Sequence, residues 1–293
     1  MRSIPYRKTD AFVEGASLGN PAACLFPARG QEPTDDELLE IARRHRGFVS
    51  EVVCCTLAES GSYVLSFWSS ACEVDFCGHG TIACMHSLIR TEPALFDLPE
   101  IRIDTRRKGP LTVYNRIRTQ NAVYVSAPPA RQIETGLSCG EAARALGARE
   151  EALDPALPLG CVDAGLVTLL VPFASLEDVI RLQPDQDSLR LFCLAHGIGI
   201  VLAFSLLTSQ SGRHAHTRVF APRFGYLEDP ATGSGNSAFG TYLWENGRWD
   251  GSGIAIEQGG AGTVYNIVRL SREQGDILFG GAAADRIVGE YLL

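Results

Sequence analysis

The sequence predicts an α+β protein made of two similar halves. Segments that alternate apolar and polar residues, as half-buried strands do, are separated by segments with the capping patterns of helices. Strands and helices do not alternate strictly along the chain, which disfavours a doubly wound parallel sheet. A Gly-rich pattern also recurs at an offset close to half the chain. Together these observations favour two pseudo-symmetric domains.

The composition excludes several classes of partner. The 293 residues include 26 basic and 34 acidic side chains, a net charge of −8, and the longest basic run is "TRRK" at 105–108. We therefore expect no nucleic acid partner. No apolar run reaches the length that spans a membrane, and we expect no signal peptide in the opening "MRSIPYRKTDAF". Nine cysteines, an odd number, make reduced thiols in the cytoplasm the expectation.

The first half is predicted to be rich in strands. Thr34, with Glu37 three residues later, forms a capping-box pattern before apolar residues at helical spacing, so a helix is expected there. The alternating segments predicted as strands are "YVLSFW" at 63–68, "IRID" at 101–104, "LTVYN" at 111–115 and "NAVYVS" at 121–126.

A linker is predicted at "SAPPARQ", 126–132, because consecutive prolines favour extended chain. We therefore predict one domain over 1–127, with 283–293 as a candidate to complete it, and a second over 128–282. In the second domain Ser138 and Glu141 indicate another helix start. "GLVTLLVPF" at 165–173 and "IVLAFSLL" at 200–207 predict buried strands.

The recurring pattern pairs "EVDFCGHGTIA" at 73–83 with "EDPATGSGNSA" at 228–238, without a gap. The glutamate, both glycines and the alanine match, and an amphipathic stretch follows each copy. Each copy is predicted to be a Gly-rich turn that enters a helix. Free amides and the positive end of the helix dipole meet there, so two such turns could hold a carboxylate. A chance match of four positions is the alternative.

Three residues could transfer or relay protons. Glu51 lies in the apolar run "GFVSEVVCC", where burial would suit it to proton transfer, whereas an edge strand would turn it toward solvent. His79 lies in the first Gly-rich turn and could bind substrate, relay a proton or contact solvent as a cap. Asp229 precedes Pro230 and could act at the second turn or cap it locally.

Cys77 could also act as a base, since a helix N-terminus lowers the pKa of a thiol. Its counterpart in the repeat is Thr232, which excludes a symmetric two-thiol mechanism. The adjacent Cys54 and Cys55 are expected to be buried apolar residues. "HAH" at 214–216 is predicted to be a surface loop rather than a metal site. The Gly-rich turns also lack the spacing of nucleotide-binding loops.

With these residues assembled, the chain resembles the PhzF-like family within the diaminopimelate epimerase-like fold. The matching segments, in order, are "TDAFVEGASLGNPAACLF" at 9–26, "SEVVC" at 50–54, "CGHGT" at 77–81, "GLVTLLVP" at 165–172, "RVFAPRFGYLEDPATGSG" at 218–235 and "EQGG" at 257–260. The resemblance implies two domains, each a β-barrel-like roll around a central helix, with the active site in the cleft between them.

The resemblance also implies an isomerase that uses no metal or organic cofactor, often as a homodimer. It assigns the acid/base role to Glu51, supporting roles to His79 and Asp229, and substrate contacts to Asn20, Gly78, Gly233 and Ser234. We therefore expect proton transfer on a small carboxylate-bearing substrate. The alternatives are a racemase, epimerase or dehydratase that uses Cys77, and a small-molecule-binding protein without catalysis.

Three departures from the family pattern bear on the substrate. Val52 stands where the family usually has threonine, "GHGT" replaces the commoner "GHAT", and "EQGGAGTVYN" lacks the Gly-Arg pair that often follows the E-Q-G segment. The proposed acid/base positions are unchanged by them.

Overall fold

The computed structural model describes residues 2–260, 262 and 264–293. The strands are β1 Ser3–Ala11, β2 Asn20–Leu25, β3 Glu51–Leu57, β4 Tyr63–Trp68, β5 Glu73–Val74, β6 Glu100–Thr105, β7 Gly109–Arg116, β8 Ala122–Ser126, β9 Arg131–Gln132, β10 Gly160–Asp163, β11 Val167–Pro172, β12 Ile200–Ser205, β13 Ala215–Phe220, β14 Glu228–Asp229, β15 Ile254–Gln258, β16 Asn266–Glu273, β17 Asp276–Gly281 and β18 Ala283–Leu292.

The helices are α1 Asp35–Arg44, α2 Gly78–Thr91, α3 Pro93–Phe96, α4 Ile117–Gln120, α5 Cys139–Ala145, α6 Leu176–Arg181, α7 Gln186–Ala195 and α8 Gly233–Glu245, with 3-10 turns at Glu150–Ala152 and Pro222–Phe224. Within the described ranges, none of these helices combines the length and the apolar character needed to cross a bilayer. The chain divides into two compact units, residues 1–126 with 280–293 and residues 127–279.

In the first unit, strands surround helix α2. β1 pairs antiparallel with β18 and β2, β2 runs parallel to β3, β3 pairs antiparallel with β4, and β4 runs parallel to β6. Helix α2 packs against β1, β2, β3, β8 and β18. Every residue of α2 from Gly80 to Ile89 is consequently buried. The sequence predicts an amphipathic helix here, but the helix has no broad solvent face because it is central to its unit.

The second unit repeats this arrangement around α8. β10 pairs antiparallel with β11, β11 runs parallel to β12, β12 pairs antiparallel with β13, and β13 runs parallel to β15. Helix α8 packs against β10, β11, β12 and β16. The succession of antiparallel and parallel pairs matches that of the first unit. The predicted α+β class, with two similar rolls around central helices, is therefore confirmed.

Local sequence signals located the elements well. Thr34 and Ser138 form complete capping boxes with Glu37 and Glu141, as predicted. The segment predicted at 63–68 is strand β4, and the other predicted strands coincide with β6, β7, β8, β11 and β12 within a few residues. The predicted linker at 126–132 ends in the short strand β9, which pairs with β10.

The prediction of a surface loop for "HAH" is wrong. His216 lies within β13 and is fully buried. Its Nδ1 lies 3.1 Å from Oε2 of Glu257, and its Nε2 lies 2.9 Å from the carbonyl oxygen of Gly259. Ser209 Oγ and the Ser209 and Gln210 amides also donate to Glu257, at 2.8, 3.0 and 3.0 Å. This pair is a satisfied core network that links β13 to β15.

The Glu257 network stabilises the second unit above acidic pH. Burial by itself would raise the pKa of Glu257, but hydrogen bonds from Ser209 and His216 outweigh it and lower this pKa from 4.5. A carboxylate whose pKa is lowered on folding contributes stability above its unfolded-state pKa. That contribution is lost as the pH falls through the lower folded-state value.

We predict that Glu257→Ala lowers the free energy of unfolding at neutral pH by about 3–5 kcal/mol, since it leaves a buried histidine and two amides without their acceptor. Urea denaturation followed by circular dichroism measures the change. Glu177→Ala, which removes an exposed ion pair with Arg181, is the matched control and should cost less than about 1 kcal/mol. Equal costs for the two variants would contradict a structural role for the buried pair.

Candidate active site

The repeat found in the sequence corresponds to a repeat in the structure. Each copy begins with a two-residue strand, β5 or β14, and continues into the central helix of its unit, α2 or α8. Cys77 and Thr232 occupy equivalent N-cap positions with similar extended backbone angles. The two Gly-rich turns are therefore equivalent helix entrances, as predicted.

The glutamate shared by the two copies braces the turn in each unit. Arg107 Nε donates to Glu73 at 2.8 Å. In the second unit Arg218 holds Glu228 through two hydrogen bonds of 3.0 and 2.7 Å. Both glutamates lie on the short strand before the helix entrance, so they fix the approach of the chain to it.

In the first unit, Glu51, Cys77 and His79 form one cluster. Glu51 is the first residue of β3, which lies between β2 and β4, so it is not on an edge strand. Its Oε2 lies 3.2 Å from Nε2 of His79, and the two side chains are 19% and 11% exposed. Nδ1 of His79 lies 3.5 Å from Sγ of Cys77. The structure thus removes the solvent-facing alternatives for Glu51 and His79.

One carboxylate oxygen of Glu51 has no hydrogen bond. Oε2 is buried, and no described residue donates to it, because the His79 ring approaches closely without an aligned N–H. A buried acceptor without a donor is costly and uncommon in folded proteins. Such an atom is available to a proton or to a ligand.

Burial reverses the expected effect of the helix on Cys77. Sγ accepts a hydrogen bond of 3.3 Å from the Gly80 amide, which is the capping interaction that the sequence predicts. Nevertheless, desolvation raises the pKa of the Cys77 thiol, and the nearby Glu51 charge adds to this against the opposing effects of His79 and Gly80. The expectation of a lowered pKa is therefore wrong, and the thiol is neutral at neutral pH.

The pKa of His79 is raised as well, but for a histidine a raised pKa favours the charged form. Burial by itself would lower the pKa of His79, but contacts with Cys77 and Glu51 raise it well above 6.5. Cys77 and Glu51 are therefore the two neighbours that favour a proton on His79.

The helix entrance is tightly packed around this cluster. A Cβ at Gly80 would lie 2.8 Å from Val53 and 3.0 Å from Sγ of Cys77, so the glycine of "GHGT" lets α2 approach β3. Gly78 is the first residue of the helix. Asn20 is buried at the start of β2, two residues before Ala22, the register partner of Glu51 on the neighbouring strand.

In the second unit, a fully buried glutamine organises the equivalent turn. Gln258 Oε1 accepts from the Thr232 amide at 3.0 Å and from Asn236 Nδ2 at 2.7 Å. Its Nε2 donates to the Asp229 carbonyl at 2.9 Å and to Thr232 Oγ1 at 3.0 Å. The Thr232 hydroxyl in turn donates to Asp229 Oδ2 at 2.5 Å. Asp229 is thus buried in a local network.

Two features distinguish the second entrance from the first. The side chain of Thr232 does not cap α8, because its hydroxyl is directed to Asp229. Gly233 begins the helix against the ring of Phe279, where a Cβ would lie 2.3 Å from the ring, and half-buried Ser234 follows it in the first turn. Ile200 begins β12 as Glu51 begins β3, so the second unit has no acid at this position.

The structure brings the predicted residues together in two groups. Glu51, Cys77 and His79 meet in the first unit, and Asp229, Gly233 and Ser234 lie at the α8 entrance in the second. Gln258, which lies inside the motif "EQGG", was not among the predicted site residues, nor were Asn236 and Phe279. Ala261 and Thr263, within the quoted "EQGGAGTVYN", lie outside the described residues.

Known proteins resemble the chain along nearly its whole length. The family model described as phenazine biosynthesis-like protein, PhzC-PhzF, matches residues 9–284. An uncharacterized isomerase of Bacillus subtilis, YfhB, is 27% identical over 262 residues, which are 88% of this chain and 87% of the relative. A trans-2,3-dihydro-3-hydroxyanthranilate isomerase of Pseudomonas fluorescens is 26% identical over 251 residues, 85% of this chain and 84% of the relative.

The fold is also found among solved structures. A PhzF-family phenazine biosynthesis protein of Bacillus anthracis matches with a TM-score of 0.86 at 23% identity, with all of both chains covered. These comparisons confirm three predictions made from the sequence, namely the family, the diaminopimelate epimerase-like fold and the isomerase class.

We predict that Cys77 reacts slowly with iodoacetamide at pH 8 despite its position at a helix N-terminus, because its thiol is buried and its pKa is raised. The exposed Cys72 and Cys139 should be modified first. Mass spectrometry of peptides after timed alkylation gives the three rates in one sample. Modification of Cys77 at the rate of Cys72 or faster would show that the thiol is activated.

Proposed function

The chain belongs to the phenazine biosynthesis-like family, and from this premise we propose that it is a cofactor-independent isomerase in which Glu51 moves a proton on a small carboxylate-bearing substrate. Glu51 takes a proton from an activated carbon and returns it elsewhere in the molecule. The isomerisation conserves atoms and needs no oxidant or reductant.

The buried, unpaired Oε2 of Glu51 is the observation that carries this proposal. A general base needs a free lone pair within reach of the proton it takes. Oε2 receives no hydrogen bond from the described residues, and His79 lies beside it at 3.2 Å. In this proposal His79 orients substrate or relays a proton.

Helix entrances supply the second requirement of the reaction. Removing a proton next to a carboxylate builds negative charge on the substrate, and aimed amides at a helix N-terminus stabilise such charge. We propose that Gly78 and Asn20 in the first unit, and Gly233 and Ser234 in the second, are substrate-binding residues. Asp229 then orients substrate or relays a proton. This extends the proposal to both units.

The neutral thiol of Cys77 argues against the alternative in which it is the working base. A base must be deprotonated before it acts, and burial opposes ionisation of this thiol. Cys77 instead caps α2 through the Gly80 amide. A small-molecule-binding protein without catalysis is the alternative from another class. Deuterium incorporation from solvent distinguishes the two, because a binding protein would not exchange protons of its ligand.

The name of the Pseudomonas fluorescens relative supplies the first compound to test. Trans-2,3-dihydro-3-hydroxyanthranilate is a small carboxylate, as the proposal requires. Val52, Gly80 and the segment after Gln258 depart from the usual family pattern close to the proposed site residues. We therefore propose only a substrate class, small carboxylates. A panel of such compounds should be tested together with trans-2,3-dihydro-3-hydroxyanthranilate.

We predict that Glu51→Gln lowers the rate of isomerisation and of deuterium incorporation from D2O by about 10²–10⁴-fold, because the amide cannot accept the proton. Nuclear magnetic resonance follows both processes. Glu59→Gln, at an exposed position in the same unit, is the control and should leave the rates unchanged. Cys77→Ser preserves a capping oxygen and should retain most of the activity.

The possible results separate the three hypotheses. Full activity of Glu51→Gln on a true substrate would exclude Glu51 as the base. Loss of activity in Cys77→Ser alone would favour the thiol mechanism. Binding of compounds without any deuterium incorporation across the panel would favour the binding protein.

We predict that Gln258→Leu lowers kcat/KM by about 10²-fold, because displacement of a positioned group by a short distance has a cost of this size. Leucine retains the volume of the side chain but removes its hydrogen bonds to Thr232, Asn236 and Asp229. Gln183→Leu, at an exposed position in the same unit, is the control. An unchanged kcat/KM in a folded Gln258→Leu protein would exclude the second turn from the reaction.

A further inference from the structure

Strand β15 ends at the residue that organises the α8 entrance. Gln258 is the last residue of β15, and Gly259 follows it with a φ of +142°, which lies in the region that favours glycine. The chain therefore turns away from the ladder directly after Gln258. The carbonyl group of Gly259 lies beyond the ladder, so its hydrogen-bond donor has to come from elsewhere.

His216 supplies that donor and also contacts the residue on the other side of Gln258. Its Nε2 lies 2.9 Å from the carbonyl oxygen of Gly259, and its Nδ1 lies 3.1 Å from Oε2 of Glu257. The ring thus bridges the residues immediately before and after Gln258. Nε2 must carry a proton in this arrangement, because a carbonyl oxygen can only accept a hydrogen bond.

Thr217, the next residue of β13, holds the same two neighbours through their backbone. Its Oγ1 donates to the Glu257 carbonyl at 3.1 Å, and its own carbonyl accepts from the Gly259 amide at 3.0 Å. These contacts fix the strand as far as the Gly259 amide. The His216 ring fixes the turn beyond that amide.

The ring of His216 is itself held firmly. It is fully buried, and the Tyr265 ring packs edge-on against it with centroids 4.6 Å apart. Glu257 keeps three further hydrogen bonds, from Ser209 and Gln210, whichever residue replaces His216. A substitution at His216 therefore acts mainly on the turn at Gly259.

We propose that His216 is a positioning residue that keeps Gln258 directed at the α8 entrance. Gln258 makes four hydrogen bonds of 2.7–3.0 Å there, and bonds of this length tolerate little displacement of their donor or acceptor. His216 acts only through Gln258 and does not contact substrate. Its effect on catalysis rests on the proposed function, whereas its effect on the turn does not.

Two variants separate the contact with Gly259 from the rest of the ring. The amide of asparagine takes the place of Nδ1 and that of glutamine the place of Nε2, so only His216→Gln keeps a donor for the Gly259 carbonyl. We expect His216→Asn to lower kcat/KM by about tenfold and His216→Gln to retain most of it. Equal losses in the two folded variants would overturn the proposal.

His214→Asn is the matched control. It removes a comparable contact, between Nε2 and the Arg248 carbonyl at 3.0 Å, from the same part of the chain. It should leave kcat/KM unchanged. Urea denaturation of each variant establishes that it is folded and gives its free energy of unfolding.

A double variant tests whether the effect passes through Gln258. In a Gln258→Leu background, His216→Asn should lower kcat/KM no further, since the side chain that it positions is gone. A stability defect alone would not produce this dependence. Losses that multiply in the folded double variant would overturn the proposal.

Hydrogen exchange tests the positioning without a substrate. The Thr232 amide donates to Gln258 Oε1 at 3.0 Å. We expect His216→Asn to speed its exchange by about tenfold relative to the Phe173 amide, and His216→Gln to leave this ratio unchanged. The Phe173 amide donates to the Phe204 carbonyl at 2.7 Å in the same unit and reports overall stability. Equal acceleration of both amides, or none at Thr232, would overturn the proposal.

The wild-type protein offers a measurement that does not depend on a variant folding. In protein labelled with ¹⁵N-histidine, Nε2 of His216, identified by its contact with the Tyr265 ring, should carry a slowly exchanging proton. An unprotonated Nε2 would overturn the proposal. If no compound in the panel exchanges deuterium, the proposed function fails, while exchange of the Thr232 amide still decides the role of His216.

Discussion

The burial of two helix N-termini is the constraint on which the rest of the structure depends. The first amides of a helix have no partners within it, so a helix that begins inside a fold needs acceptors from elsewhere. Helix α2 is buried from Gly80 to Ile89, and the start of α8 at Gly233 lies against Phe279. Glycine allows this close approach, and a paired glutamate and arginine brace each turn. Helix N-termini of this kind are suited to binding anions.

The two units share a backbone but divide the chemistry unequally. The strand that begins with Glu51 in the first unit begins with Ile200 in the second, and the N-caps are Cys77 and Thr232. The first entrance therefore combines Glu51 with Cys77 and His79, whereas the second combines Asp229 with Thr232 and Gln258. In the proposed function the repeat accounts for two anion sites, and the difference at the first residue of one strand places the proposed base, Glu51, in the first unit.

Short-range signals carried most of what the sequence could predict. The capping boxes at Thr34 and Ser138 and the strand at 63–68 depend on residues close in sequence. The repeat also located both helix entrances. The burial of His216 could not be predicted, because it depends on Glu257, 41 residues away along the chain. The pKa of Cys77 was mispredicted because the helix dipole is a local effect, whereas the opposing desolvation requires neighbouring strands.

The proposed function depends on a lone pair that the fold leaves without a hydrogen-bond donor. Oε2 of Glu51 is buried and accepts no hydrogen bond from the described residues. Such an atom costs stability, because a buried acceptor normally regains in the folded protein the hydrogen bond that it loses to water. In the proposed function this cost is the condition for proton transfer, since a lone pair that already accepts a hydrogen bond is not free to take a proton from carbon.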